Sequence, residues 1–242
     1  MSLHHPNLWN VVNKQWKYKW ISYKSVFQGL IIVQIIAIVF SLLGVGNGGF
    51  GSGAFHLNVQ YVSGDIVFFF TCIWAFFIAL AIDRMDNRLA EQIFVSNAMS
   101  HHLSNIMFIG VSNAIGAISV IMASFCVKIL HIWIFGLDAF VFFGEYTLPG
   151  LITFFLTTFF YLILFSGAGY LIGSIMRQGK IMKVATIAIV GGMIFLQESR
   201  LEPVFIFFGQ ESHLVLFITK VLLTSLISFG LAVVFSRRLE VQ

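Results

Sequence analysis

Six long apolar stretches, joined so that positive charge collects at alternate ends, constrain this chain more than any other feature. They run from about Ser25 to Leu43, Ile66 to Ile82, Asn105 to Val127, Leu148 to Met176, Val184 to Gln197 and Leu214 to Ser236. Runs of about 20 uncharged residues match roughly 30 Å of hydrocarbon, so lipid is the expected solvent for most of the chain. Backbone polar groups in hydrocarbon must be satisfied within a segment or in a closed barrel, and these runs are about twice the length of barrel strands. The composition, 59% hydrophobic and 10% charged, excludes an ordinary soluble domain, which carries about 25% charge. The expected fold class is an all-α integral membrane protein with six transmembrane helices. Pro6, Pro149 and Pro203 fall at or outside helix ends, where a missing N–H does no harm.

Orientation follows from Lys and Arg in the connections. With the N-terminus inside, cytoplasmic segments hold Lys14, Lys17, Lys19, Lys24, Arg84, Arg88, Arg177, Lys180, Lys183, Arg237 and Arg238, eleven of the fourteen basic residues. Lys128, Arg200 and Lys220 fall at or near the outer side. Both termini are therefore expected in the cytoplasm, with residues 1–24 as an N-terminal cytoplasmic or interfacial segment, 25–236 as the membrane domain and 237–242 as a tail. The net charge of +4 reports this topology and not nucleic-acid binding. The polar residues Met1 to Asn10 show no removable signal peptide, so the first span is expected to stay as an anchor. Before it, Trp9, Val12, Trp16, Trp20, Tyr23 and Phe27 fall within about 80° of one another on a helix. With Lys17 and Lys19 on its shoulders, this stripe predicts an amphipathic helix in the plane of the headgroups.

Two motifs are set aside. Gly44, Gly46 and Gly49 spell G-x-G-x-x-G, but the motif follows an apolar helix and lacks the strand a dinucleotide site requires, so Gly44 to Gly53 reads as a flexible outer loop. Gly173 through Lys180 is one residue too long for a P-loop, and Ile181 stands where a magnesium-binding Ser or Thr belongs. No catalytic signature appears, so no enzyme activity, metal site or bound cofactor is expected in this chain. Cys72 and Cys126 read as buried structural thiols, and the adjacent His101 and His102 diverge by about 100° on a helix, a poor chelating pair.

Between the second and third spans lies the longest charged cytoplasmic segment, Asp83 to Glu91, followed by Gln92, Ile93, Phe94 and Val95. It reads either as a short helix presenting an apolar patch and a charged rim, or as a solvated loop. Within the spans, Gly169 with Gly173 and Ser112 with Gly116 are small pairs that permit close helix approach. Asn113, Thr157 and Thr158 either line a path or bond across helices. Lys220 is the one charge inside a predicted span; it either snorkels to the outer boundary or contacts a cargo, with Glu202 and Glu211 as possible ion-pair partners.

The N-terminal interfacial helix, six spans, charged first cytoplasmic loop and apolar outer segment from Glu198 to His213 together resemble the type-2 ABC exporter permeases of bacteria. The resemblance covers the whole chain and rests on layout. It implies a permease that exports an amphipathic cargo, such as an antimicrobial peptide, a peptide antibiotic or a lipid-linked molecule, across the bacterial cell membrane. It further implies a second permease subunit, as homodimer or heterodimer, and a separately encoded ATPase that uses ATP and Mg. The family's coupling loop falls on 83–104, with Arg84, Asp86, Arg88, Glu91, Ile93 and Phe94 as coupling candidates, and its outer re-entrant segment on 198–213. The outer segment from Lys128 to Thr147 is long and aromatic, which the resemblance does not explain. The alternative is an immunity or sensor protein that binds a peptide at the outer surface without moving it.

Overall fold

A computed structural model describes residues 8–43, 46–52, 55–62, 64–82, 98–136, 141–142, 147–194, 203, 206–211 and 213–237. Helices dominate: α1 (Leu8–Ser22), α2 (Lys24–Leu43), α3 (Asp65–Ile82), α4 (Ala98–Phe135), α5 (Leu148–Met176), α6 (Lys180–Ile194) and α7 (Leu214–Arg237). Five of these, α2, α3, α4, α5 and α7, are long and apolar enough to cross a membrane. Their outward faces carry Ile31, Ile35, Phe77, Leu226 and Ile227, each more than half exposed. A water-soluble bundle would turn such a continuous apolar surface inward.

The predicted ends of α2, α3, α5 and α7 agree with the observed ones to within a residue or so. Length alone fixes these helices, and α5 adds a cap: the Thr147 side chain accepts from the Gly150 N–H, with Pro149 in the first turn.

Elsewhere the agreement is partial. Of the predicted span from Val184 to Gln197, α6 covers Val184 to Ile194 within its 15 residues, about 22 Å at 1.5 Å per residue, and 195–197 lie outside the described residues. The third span is longer than predicted, since α4 runs for 38 residues, about 57 Å. It absorbs 98–104 of the expected coupling loop and 128–135 of the expected outer segment.

The glycine-rich outer loop is also corrected. β1 (Gly46–Ser52) pairs antiparallel with β2 (Phe55–Val62), from Gly46 opposite Tyr61 to Ser52 opposite Phe55. A short β3 (Val141–Phe142) adds to β2 in parallel, giving the order β1-β2-β3. The signal was the strict alternation of Phe55, Leu57, Val59 and Tyr61 with His56, Asn58 and Gln60, a strand period rather than a helical one.

Side-chain register gives each helix a direction. Going up α2, Phe27 meets Phe108 and Gln34 meets Ser119, so α2 and α4 run parallel. Phe40 meets Phe70 while the Val26 carbonyl accepts from Trp74 Nε1, so α3 runs against α2. Phe68 meets Tyr161, and Gly169 and Gly173 lie against the Phe76 and Leu80 carbonyls, so α5 runs with α3. Tyr161 meets Phe217, Tyr170 meets Phe229 and Arg177 donates to Ser236, so α7 also runs with α5. Two consecutive long helices packed in parallel require the chain between them to return along their length. The return is tied down at its far end, where Tyr161 Oη donates to the Phe208 carbonyl at 2.7 Å.

The core is stacked along the bundle in three layers. Ala79, Phe108, Tyr170 and Phe229 form one end, Leu30, Trp74, Ala117 and Leu162 the middle, and Ala37, Val67, Val120 and Val127 the other end.

A buried polar cluster joining three helices

The most polar part of the interior lies in the first layer, where α1 packs on the start of α4. The expected aromatic stripe of α1 is split by this packing. Val12 is buried, Trp16 and Tyr23 pack toward the core and Trp20 lies edge-on to the buried Phe108, whereas Trp9 is more than half exposed. The face that α1 buries is instead Val12, Gln15 and Lys19, and Lys19 is 0% exposed rather than a headgroup lysine. Phe27 falls on α2, because the chain turns at Tyr23.

Lys19 Nζ donates to Ser104 Oγ at 2.6 Å and to Asn105 Oδ1 at 2.5 Å. Ser104 Oγ in turn donates to the His101 carbonyl one turn back, at 2.8 Å. The Asn105 amide nitrogen donates to Tyr170 Oη at 3.1 Å and faces His101 Nε2 at 3.2 Å. Tyr170 Oη lies 2.6 Å from His102 Nδ1. An ammonium only donates, so Asn105 must turn its oxygen to Lys19 and its nitrogen to the phenol. The phenol oxygen then accepts from Asn105, which leaves its proton for His102 Nδ1. The result is a directed chain of bonds from Lys19 through Asn105 and Tyr170 to His102.

Lys19, Ser104, Asn105, His101, His102 and Tyr170 are each at most 3% exposed. A buried charge is tolerated only when hydrogen-bonded, and each such charge-assisted bond contributes about 1.5–3 kcal/mol. Mechanically, the cluster fastens the N-terminal helix and the first turns of α4 to α5. Tyr170 packs against Phe229 with ring centroids 5.6 Å apart, which extends the connection to α7. His101 and His102 present their rings at 75° to each other, with centroids 5.5 Å apart. Among the described residues, no three His, Cys, Asp or Glu side chains converge as a metal site.

A second polar contact sits deeper in the bundle. Asn113 Nδ2 donates to Ser166 Oγ at 3.0 Å, and Ser166 lies 3.3 Å from the Ala75 carbonyl, joining α4, α5 and α3. Of the other residues considered for a path, Thr158 is buried and Thr157 half-buried on α5. Ser112 is buried, and Gly116 packs under Trp74 and Leu162. Gly169 and Gly173 are where α3 and α5 touch backbone to backbone.

At the far end, Lys220 pairs with Glu211, and its Nζ sits 4.5 Å above the Phe207 ring. Cys72 is buried, but Cys126 is exposed on α4, against the expectation of two buried thiols; both are free. The coupling candidates Arg84, Asp86, Arg88, Glu91, Ile93 and Phe94 lie outside the described residues, as do Glu202 and most of 198–205.

The cluster is not visible in the sequence alone, where Lys19 reads as a headgroup charge and His101 and His102 as a poor chelating pair. What the sequence does show is on α4, where His101, Asn105, Ser112 and Gly116 recur at helical spacing in an otherwise apolar run. A polar stripe within an apolar helix marks the face turned to its neighbours. No family model, curated protein or solved structure matches the chain.

Proposed function

We propose that this chain is the membrane-spanning permease subunit of an ATP-driven ABC exporter of the bacterial cell membrane. It crosses six times with both ends in the cytoplasm, α6 and the residues after it making the fifth crossing. The parallel register of α5 and α7 supports the six-crossing layout on which this reading rests, because the chain from Arg177 to Phe208 then has to travel back along the bundle. An even number of crossings then leaves the basic residues at the ends of α3, α5 and α7 on the same side as α1, in keeping with the positive-inside rule.

In this reading a separate ATPase docks on 83–97 through Arg84, Asp86, Arg88, Glu91, Ile93 and Phe94. Its closure on ATP and Mg pulls on the first turns of α4. The hydrogen bonds of Lys19, Asn105 and Tyr170 carry that pull to α1, α5 and α7 together, which supports alternating access by a shift of the bundle as a unit. A second permease subunit completes the path, and the cargo is amphipathic: an antimicrobial peptide, a peptide antibiotic or a lipid-linked molecule.

The test is purification of the tagged protein in mild detergent with its partners, comparing wild type with an Arg88→Glu, Phe94→Ala double variant. A co-purifying ATPase lost in the variant is expected. A wild-type protein that brings down no ATPase overturns the proposal.

A further inference from the structure

The outer hairpin ends in an open edge. β2 is paired on both sides, by β1 and by β3, whereas β1 begins the sheet and has a partner on one side only among the described residues. Natural edge strands are blunted with charge, proline or a bulge. Gly46–Ser52 carries no charged residue and no proline, and its register with β2 runs unbroken from Gly46 opposite Tyr61 to Ser52 opposite Phe55. An edge of seven residues, about 23 Å long, is therefore offered to another strand.

The order of residues in β1 specifies which strand. Turned antiparallel onto a copy of itself about Gly49, it sets Asn47 against Gly51, Phe50 against Gly48 and Ser52 against Gly46. Every side chain of the strand then meets a glycine, and an aromatic placed across from an edge glycine stabilises the pair. A slip by one residue sets Asn47 against Phe50 or Ser52 and loses the match. A parallel copy sets Phe50 on Phe50 and glycine on glycine.

Strand alternation arrives at the same arrangement independently. Residues paired across the hairpin share a face. Phe50, Phe55, Leu57, Val59 and Tyr61 therefore fall on one side and Asn47, His56, Asn58 and Gln60 on the other, with Val62 and its β3 partner Phe142 the exception at the end next to α3. Two residues separate Leu43 of α2 from Gly46, and two separate Val62 from Asp65 of α3, so the base of the hairpin is within about 10 Å of both helix ends. Copies inserted in one bilayer share an orientation, so the two-fold axis between them is the membrane normal. About that axis two β1 strands are antiparallel only when they lie in the membrane plane, which turns one face of the sheet to lipid and the other to water. An apolar face backed by a polar one suits that position.

We infer that β1 is a self-association edge, pairing antiparallel about Gly49 with β1 of a second copy, so that two three-stranded sheets become one sheet lying on the bilayer surface where α2 ends and α3 begins. This narrows the second permease subunit of the proposed exporter to a like copy. It needs only that α2 and α3 cross the membrane, and its test involves no ATPase, so it can fail while the export reading stands, and the reverse.

The experiment places the full chain in lipid vesicles, with the exposed Cys126 changed to Ser and the buried Cys72 left in place. Single cysteines are then introduced along β1 and oxidised with copper phenanthroline. Directly opposite residues stand about 4.5–5.5 Å apart between Cα atoms, inside the reach of a disulfide, which fails beyond about 7 Å. Gly49→Cys, opposite itself, should convert to a covalent dimer. Asn47→Cys and Gly51→Cys each stand about 13 Å from their own copies at 3.3 Å per residue. Each should stay monomeric alone, and the two should cross-link when reconstituted together. Cross-linking of all three variants alone, as in-register parallel strands or chance collisions give, overturns the inference. So does a monodisperse Gly49→Cys protein that forms no covalent dimer, and so does a mixture of Asn47→Cys and Gly51→Cys that gives no more dimer than either variant by itself.

Discussion

Replacing Gly169 with alanine adds a single carbon at the seam where α3 and α5 touch. That carbon would fall 2.3 Å from the Phe76 carbonyl oxygen and 3.0 Å from its carbon, both backbone atoms that no rotamer change can move. Carbon rests against a carbonyl oxygen at about 3.3 Å, so the two helices must part by about 1 Å. A gap of that size forfeits up to about half of each van der Waals well along the seam. Alanine recovers about 1 kcal/mol of helix propensity over glycine, and the net expectation for Gly169→Ala is a loss of about 1–3 kcal/mol, as for other overpacked cores. Gly230→Ala is the control: its β-carbon meets nothing within 4 Å, so it should be neutral or gain up to about 1 kcal/mol. Gly173→Ala, at 2.8 Å from the Leu80 carbonyl oxygen, should fall between the two. Reversible unfolding in mixed micelles of rising dodecyl sulfate fraction, followed by tryptophan fluorescence, measures all three. Equal midpoints for Gly169→Ala and Gly230→Ala would refute the close-approach argument.

Other expectations follow from the polar contacts. Tyr170→Phe removes the hydroxyl between Asn105 and His102 without opening a cavity and should lose about 1–3 kcal/mol in the same unfolding assay. Lys19→Ala should loosen α1 from α4, seen as faster tryptic cleavage at the exposed Lys14 and Lys17, while Lys24→Ala should leave that rate unchanged. Glu211→Gln breaks a partly exposed pair and should cost under about 1 kcal/mol, a difference that shrinks in high salt. A membrane-permeant maleimide should modify Cys126 and spare Cys72 until the protein is unfolded.

What could be read from the chain was what hydrocarbon thickness dictates. An apolar run of fixed length has little freedom, and α2, α3, α5 and α7 begin and end where the runs do. Positions set by tertiary contact were harder. Lys19 carries the same side chain as Lys17 two residues away, and only the arrival of Ser104 and Asn105 makes one buried and the other exposed. α4 overruns its apolar window because His101, His102 and Ser104 at one end and His131 at the other are buried against neighbours, which hydropathy counts as reasons to stop. The alternation in 55–61 carries a strand period, whereas the glycine run before it lacks the side chains with which to show one.

The direction of α7 has a bearing on how the molecule is made. α2, α3 and α4 each find a packing partner in a helix adjacent in sequence, so these contacts can form as the chain emerges. α7 packs chiefly on α5, with which it is parallel, and can reach that place only after the whole return segment has been laid across. Until then the face of α5 that carries Gly167 and Tyr170 lies open toward the absent Ser225 and Phe229. The closing step of assembly is therefore non-local and slow relative to the hairpins before it. A chain stalled near residue 200 would be an inserted but unsealed intermediate, with the cluster around Tyr170 uncovered on one side.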